Sequence, residues 1–262
     1  MLIELRIAAC AAMLIIAAII DVKKREIPDK VWLGFGTLGV ALIIIEFALP
    51  SLFVETTPFT IIPNDSAEVI YTAPAMKLFS YLVGIGIIVP IAYGIYKTSL
   101  FGGADSKALI AIAVLLPAYD GMMFKLHGFT AMTVLTNALI VSMSYVVYNV
   151  LKNAVEIVRG RRIFEGFEES ASRKALAFTM GFRSSSGKGY LFAMEGIDES
   201  GKRKFVFNPA EYDDFVSVSG KKNLVWVTHA MPFIVYLAIG FGITIILGDL
   251  LAVIVRGIVG VS

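Results

Sequence analysis

Residues 2–29 read LIELRIAACAAMLIIAAIIDVKKREIPD, and this stretch decides the class of protein. Its apolar part runs to Ile20, and about 20 apolar residues in a helix are enough to cross a bilayer. Basic residues follow directly, at Lys23, Lys24, Arg25 and Lys30. Because short loops rich in Lys and Arg stay in the cytoplasm, the stretch predicts a membrane-spanning helix with its N-terminus outside. Asp21 then lies at the cytoplasmic end of that helix.

The rest of the chain has the composition of a membrane protein. Of its 262 residues, 57% are hydrophobic and 17% are charged, whereas ordinary soluble domains carry about 25% charged residues. The apolar residues fall into long runs at about 2–20, 31–50, 76–96, 106–118, 129–151 and 229–255. The sequence therefore predicts an all-α polytopic membrane protein with about six transmembrane helices, and it excludes a soluble enzyme and a disordered chain.

One sizeable polar segment, residues 152–228, interrupts this pattern. It holds thirteen of the 23 Lys and Arg residues, which indicates the cytoplasmic side. A weak helical pattern at Glu165–Phe178 precedes strand-like runs at Tyr190–Gly196, Lys204–Asn208 and Leu224–Thr228, with a turn at 198–201. We therefore expect three parts: residues 1–151 with five transmembrane helices, residues 152–228 as a small cytoplasmic α+β insert, and residues 229–262 with the sixth helix and the tail.

Two aspartates lie at the ends of predicted helices that share one membrane face. Asp21 ends the first helix, and Asp105 precedes the fourth in the stretch FGGADSK, residues 101–107. Two carboxylates at one level can share a water molecule and a proton, because two close like charges do not both ionise readily. One then acts as a base and the other as an acid. This pairing is typical of aspartic-type peptide hydrolysis.

Gly102 and Gly103 precede the second aspartate. Glycine adopts backbone angles that other residues avoid, and it lets an extended peptide approach the main chain. The loop is therefore predicted to present Asp105 and to bind substrate through backbone hydrogen bonds. Simpler roles remain open, since an aspartate at a helix end is commonly a cap and two glycines commonly form a turn. Asp249 and Glu46 are interpreted as such helix-terminal residues.

Metal and nucleic-acid sites are not expected. The single cysteine, Cys10, lies in an apolar run, and the two histidines, His127 and His229, are far apart, so no metal-ligand spacing is present. The Lys and Arg residues of 152–228 fit a solvated face near anionic lipid, and no basic-aromatic motif indicates RNA binding.

The two aspartate stretches together resemble a known family. DVKKREIPD, residues 21–29, resembles the first aspartate motif of type IV prepilin peptidases, in which an Ile-Pro pair follows the aspartate. GGADSK, residues 102–107, resembles the second motif, GxGD, with a lysine shortly after the aspartate. The tail is similar to that of the archaeal preflagellin and prepilin peptidase branch, in particular at residues 226–228, 232–233 and 248–249. Ala104 stands where the family has the last glycine of GxGD.

This resemblance implies a membrane-embedded aspartyl endopeptidase that removes class III signal peptides at the cytoplasmic face of the cell membrane. These are short basic leaders ahead of a hydrophobic helix. The implied catalytic residues are Asp21 and Asp105. The implied substrate loop comprises Gly102, Gly103, Ala104 and Lys107, and the other motif residues are Ile27, Pro28 and Asp29. The implied partners are a preflagellin or prepilin-like substrate and membrane lipid, with no cofactor. N-methylation is not predicted, because the cysteine pairs of many bacterial relatives are absent.

Three other functions are open from the residues alone. An ion- or proton-coupled transporter also places carboxylates in a membrane, although here both lie at one face and the sequence offers no paired broken spans. A presenilin-like intramembrane protease shares GxGD, but it usually has a tyrosine before its first aspartate, where this chain has Ile20. An inert scaffold of a pilus machine does not account for both aspartate motifs.

Overall fold

Helices dominate the chain, as the composition predicts. The structure, a computed structural model, describes residues 2–49, 74–97, 102–121, 126, 128–185, 191–197, 201–207, 213–214, 224–229 and 232–259. The predicted turn at 198–201 therefore lies largely outside the described residues. Contacts divide the chain into two compact units, one of residues 1–141 and 232–262 and one of residues 142–231.

The first unit is a helical bundle. It contains α1 (Leu2–Lys24), α2 (Asp29–Ala48), α3 (Pro74–Lys97), α4 (Gly103–Leu115), the first part of α5 (Thr130–Val158), α7 (Phe233–Ile246) and α8 (Leu250–Val259). Within the described part of the chain, α1, α2, α3 and α5 are each long and apolar enough to cross a membrane. Helices α7 and α8 together form a further candidate span, bent by 62°. The protein is thus a multi-pass helical membrane protein, and the described residues provide four candidate spans, or five with the bent pair, so the expected count of six is not confirmed.

Helix α4 differs most from the expectation of a full fourth span. It has 13 residues and rises about 20 Å, less than the roughly 30 Å of a bilayer core. It ends at Leu115, because Leu116 precedes Pro117 and the residue before a proline is disfavoured in helical conformation. Helices α1, α2, α3 and α7 all contact α4. Most of its side chains are buried, so α4 is the central helix of this unit.

Glycines let some of these helices approach closely. A Cβ at Gly39 of α2 would lie 2.9 Å from the backbone nitrogen of Leu115, and a Cβ at Gly240 of α7 would lie 2.7 Å from that of Ala138. Gly84 is similarly enclosed by the ring of Phe129. By contrast, a Cβ at Gly34 or Gly36 would meet nothing within 4 Å. Close packing therefore explains only some of the helical glycines.

The break between α7 and α8 is satisfied by polar groups. Gly248 takes a left-handed backbone with φ of 87°, and Asp249 Oδ1 accepts from Leu251 N at 2.9 Å. Asn137 of α5 donates to Gly248 O and accepts from Leu250 N, both at 2.9 Å. These bonds meet the requirement that backbone groups inside a membrane find partners within the protein. Asp249 is therefore a helix-terminal residue, as expected.

The second unit combines the end of α5 with α6 (Ala171–Met180) and short strands. The strands are β1 (Phe182–Ser184), β2 (Leu191–Ala193), β3 (Glu195–Ile197), β4 (Arg203–Phe205), β5 (Asp213–Asp214) and β6 (Val225–His229). They pair antiparallel as a sheet of order β1-β6-β2-β5 and a separate pair β3-β4. Helix α6 begins later than the predicted helix at Glu165–Phe178, because the Ser170 hydroxyl accepts from Arg173 N and caps it.

Aromatic packing forms the core of this second unit. The wholly buried Trp226 stacks on Phe164 with ring centroids 5.4 Å apart. Its indole Nε1 donates to Ile163 O at 3.1 Å. The buried carboxylate of Glu195 accepts from Trp226 N at 2.6 Å and pairs with Arg203. Burial of this charge is therefore compensated by a cation and a hydrogen bond.

Candidate active site

Asp21 lies in the last turns of α1, partly buried. The helix ends just after it, because Arg25 adopts a left-handed backbone with φ of 59° while its N–H still donates to Asp21 O at 3.0 Å. A residue with a side chain pays roughly 1–2 kcal/mol in that conformation. The charge of Arg25 acts on the Asp21 carboxylate. The strained turn therefore holds a cation beside the first aspartate.

Asp105 is the third residue of α4 and is only 7% exposed. Its Oδ2 accepts from Gly102 N at 2.9 Å. This bond satisfies a backbone donor at the start of the helix, and the negative charge is favourable at a helix N-terminus. Asp105 is thus fixed in orientation by the chain that precedes it.

The backbone of Gly102 differs from the one predicted. Its φ of −67° and ψ of 157° are open to any residue, so the expectation of an unusual backbone is wrong there. A Cβ at Gly102, however, would lie 3.3 Å from Asp105 Oδ2. A side chain at this position would therefore crowd the carboxylate and require it to shift by a few tenths of an ångström. Gly103 begins α4, where a Cβ would lie 3.4 Å from the Tyr96 ring, and Ala104 packs against the apolar core of the bundle.

The structure places the two aspartates near enough for their charges to interact. Helices α1 and α4 are in contact, and the charge of Asp21 acts on Asp105. The end of the first helix and the start of the fourth therefore meet at one place in the first unit. Their separation in the sequence gives no local signal of this proximity, and only the assembled bundle creates it.

The two motifs are also joined by an ion pair. Lys107 Nζ of the second motif lies 2.5 Å from Asp29 Oδ1 of the first. Both side chains are well exposed, at 49% and 69%, so the pair adds less than about 1 kcal/mol to stability. Ile27 is buried in the core, and the exposed Pro28 precedes the first turn of α2. The Ile-Pro-Asp segment thus anchors the loop between α1 and α2 and directs Asp29 towards α4.

Two residues beside the aspartates were missed by sequence reasoning. Arg25 follows Asp21 by four positions, a spacing that would place both on one face of a continuous helix, but α1 ends at Lys24 and Arg25 has a left-handed backbone. Ser106 is buried next to Asp105, and its hydroxyl has no hydrogen-bond partner in the described part of the chain. Nothing in the sequence distinguishes that serine from a helix-start residue. Within the described residues, no three His, Cys, Asp or Glu side chains are grouped to hold a metal ion.

Comparison with known proteins supports the resemblance. Three relatives are named preflagellin peptidase. That of Methanocaldococcus jannaschii is 24% identical over 248 residues, covering 90% of this chain and 91% of the relative. That of Methanococcus voltae is 22% identical over 253 residues, covering 90% and 92%. That of Methanococcus maripaludis is 23% identical over 245 residues, with the same coverage. Residues 8–141, which include both aspartates, match the type IV leader peptidase family, and the chain therefore belongs to that family of peptidases.

Proposed function

We propose that this chain is an aspartic leader peptidase in which Asp21 and Asp105 form the catalytic pair. The observation that carries the proposal is that α1 and α4 are in contact and that the charge of Asp21, near the end of α1, acts on Asp105 at the start of α4. Both aspartates lie within the part of the chain that matches the leader peptidase family. The ion pair between Asp29 and Lys107 supports the same arrangement, since it shows a residue of one motif in contact with a residue of the other.

The chemistry follows from two carboxylates that share one water molecule. The ionised carboxylate removes a proton from the water as its oxygen attacks the scissile carbonyl carbon. The protonated carboxylate hydrogen-bonds to the carbonyl oxygen, which becomes negative as the tetrahedral intermediate forms. Collapse of the intermediate breaks the C–N bond, and a proton passes to the leaving amine. The pair returns to one proton and one charge at the end of the cycle.

The substrate proposed is a preflagellin or prepilin-like subunit with a short basic leader and a hydrophobic N-terminal helix. The relatives that span about nine-tenths of this chain carry the name preflagellin peptidase. A peptidase whose aspartates end and begin membrane helices is suited to a bond at the point where a polar leader meets an apolar helix. Membrane lipid surrounds both enzyme and substrate.

The proposed topology places the pair in the cytoplasm with the N-terminus outside. Helices α1, α2 and α3 make three crossings, so the end of α1 and the start of α4 share a face whether or not α4 completes its own crossing. Thr130 N donates to Pro117 O, which puts the start of α5 beside the end of α4. The 29 residues of α5 rise about 44 Å, enough to return across the bilayer. This leaves residues 152–228 as the cytoplasmic insert between parts 1–151 and 229–262.

A cleavage assay with isosteric variants tests the function. Membranes that contain the wild-type chain are expected to remove the leader from a preflagellin-like substrate, and those with Asp21→Asn or Asp105→Asn are expected to leave it intact. Asparagine keeps a hydrogen-bond acceptor for Gly102 N but carries no ionisable group, so fold and chemistry are separated. Asp249→Asn is the control, because asparagine caps a helix as well as aspartate does. Cleavage at the wild-type rate by either active-site variant would show that the pair is not catalytic.

A further inference from the structure

The C-terminal half of α5 has an exposed apolar face. The side chains of Met143, Val147, Leu151 and Val155 are between 47% and 60% exposed, and that of Val158 is 87% exposed. Their spacing of three or four residues places these five side chains on one side of the helix. This apolar face continues to the last residue of α5, so it extends into the first residues of the proposed insert.

The opposite side of the same helix is polar and is covered by protein. Asn149 and Asn153 are buried there, and both donate to backbone oxygens at the end of α6. Asn149 Nδ2 lies 3.0 Å from Thr179 O, and Asn153 Nδ2 lies 2.9 Å from Phe178 O and 2.7 Å from Gly181 O. A helix on a protein surrounded by water has the reverse arrangement, with its apolar side towards the protein. The apolar face is therefore suited to lipid rather than to water.

The length of α5 agrees with lipid along this side. The helix is a candidate membrane span of 29 residues and rises about 44 Å. A bilayer measures about 40–45 Å when its headgroup regions are included. Helix α5 is therefore long enough to reach from one headgroup region to the other, and its last residue then lies at the level of the lipid headgroups.

The chain turns sharply where α5 ends. Gly160 adopts a left-handed backbone with φ of 79°, and its N–H donates to Ile157 O at 2.8 Å. Arg161 N donates to Glu156 O at 3.1 Å. These are the two hydrogen bonds of a Schellman motif, which ends a helix and satisfies its last carbonyl groups. The turn therefore fixes the position of the residues that follow Val158.

Three arginines lie at this turn. Arg159 and Arg161 both pair with the carboxylate of Glu156. Arg162 is exposed, and within the described part of the chain its guanidinium has no hydrogen-bond or ion-pair partner. Three cations against one carboxylate leave an excess of positive charge. Because a guanidinium group binds phosphate oxygens through two parallel hydrogen bonds, this charge complements the phosphate of an anionic lipid.

Resting on the proposed topology, we propose that the end of α5 is a binding site for an anionic phospholipid of the cytoplasmic leaflet. Arg159, Arg161 and Arg162 bind its headgroup, and its acyl chains lie along the apolar face. The site keeps the start of the polar insert at the membrane surface.

Lipid quenching tests the apolar face. In a Cys10→Ala background, Val155→Cys on this face and Ile197→Cys at an exposed position of β3 each carry a fluorescent maleimide. The full chain is placed in phosphatidylcholine vesicles with or without bromine on the acyl chains. Brominated lipid is expected to cause a large loss of fluorescence at residue 155 and little at residue 197. Aqueous iodide is expected to give the reverse.

A lipid competition tests the headgroup site with the label at residue 155. Brominated phosphatidylglycerol is titrated against unbrominated phosphatidylcholine, and the unchanged arginines are expected to favour phosphatidylglycerol. Arg162→Gln is expected to lower this preference about fivefold, the effect of one cation at a membrane surface. Arg162→Lys keeps the charge and is expected to retain most of the preference. Lys202→Gln is the matched control, since it removes one exposed cation that pairs with Glu168.

The results that would overturn the inference are distinct. Quenching of residue 155 by iodide and not by lipid would place the apolar face in water, and protection from both would show that protein covers it. An unchanged preference in Arg162→Gln, or an equal loss in Lys202→Gln, would remove the headgroup site. No substrate is present in these measurements, so their failure leaves the proposed peptidase function intact, and a failure of that function leaves the lipid site intact.

Discussion

At the scale of single residues, the absence of a side chain at Gly102 avoids a close contact with the Asp105 carboxylate. We expect Gly102→Ala to lower kcat by about tenfold, because its Cβ would press on the carboxylate oxygen 3.3 Å away and displace it. Gly103→Ala is the matched control: its Cβ would meet the Tyr96 ring at an ordinary distance, and alanine favours the helix by about 0.5–1 kcal/mol. Cleavage kinetics of the two variants measure the difference. Equal rates would remove the crowding explanation.

The carboxylate pair also predicts how cleavage depends on pH and metal ions. The pair works while one carboxylate is protonated and the other is ionised, so the cleavage rate is expected to rise and then fall with pH. The two apparent pKa values of this profile belong to the pair rather than to either residue. A strong chelator is expected to have no effect, since carboxylates activate the water. The assay is cleavage in liposomes across pH, restricted to the range from which full activity returns at neutral pH. A flat profile, or loss of activity on chelation that zinc restores, contradicts the mechanism.

At the residue scale, a short motif is enough to single out candidate residues, whereas the environment that folding creates around them cannot be read from it. Asp21 and Asp105 could be singled out because charged residues at the ends of apolar runs are rare. Their proximity, the ion pair of Asp29 with Lys107 and the unsatisfied groups of Ser106 and Trp32 depend on helices from distant parts of the chain. No local pattern in the sequence encodes those contacts.

At the scale of elements, α4 is held at the end opposite Asp105 by a polar cluster. Arg6 of α1, 2% exposed, donates to Leu115 O in the last turn of α4 and to Glu46 of α2, both at 2.8 Å. Lys77 and Tyr81 of α3 contact the same glutamate. A cation is favourable at the C-terminus of a helix, where carbonyl groups lack partners. The cluster therefore connects all four helices at the end of α4 remote from the aspartates.

Loss of the arginine should loosen this packing. Arg6→Met leaves Glu46 partly unpaired and Leu115 O without its donor, and breaking a buried pair in this way costs about 3–5 kcal/mol. We expect a lower Tm in detergent and faster maleimide labelling of Cys10, the single cysteine, which is fully buried one turn further along α1. Lys77→Gln is the control, since Lys77 is 53% exposed and its pair contributes less than about 1 kcal/mol. Unchanged Tm and protected Cys10 in Arg6→Met contradict the anchoring role.

Elements were easier to predict than their ends and bends. Hydropathy located the helices, because each must be apolar over most of a bilayer. The apolar run at 106–118 is as short as α4 itself, but α4 begins earlier, at Gly103, and the bend between α7 and α8 was not predicted. Both features depend on partners elsewhere in the chain. Asn137 of α5 satisfies the bend, and four neighbouring helices bury α4. A short local segment of sequence contains neither the side chain that satisfies the bend nor the helices that surround α4.

At the scale of the whole molecule, the arrangement of crossings decides where substrate meets enzyme. In a Cys10→Ala background, Lys188→Cys in the polar insert and Ser262→Cys at the tail give single cysteines on opposite sides of the α7–α8 pair. An impermeant maleimide is expected to label residue 188 only from the cytoplasm and residue 262 only from outside, because the bent pair is proposed to cross the membrane once. Labelling with both sides reversed would place the pair of aspartates outside, away from a basic leader in the cytoplasm. Labelling of both cysteines from the cytoplasm would make the 62° bend a re-entrant loop, while the three crossings before α4 would still keep Asp21 and Asp105 on one face.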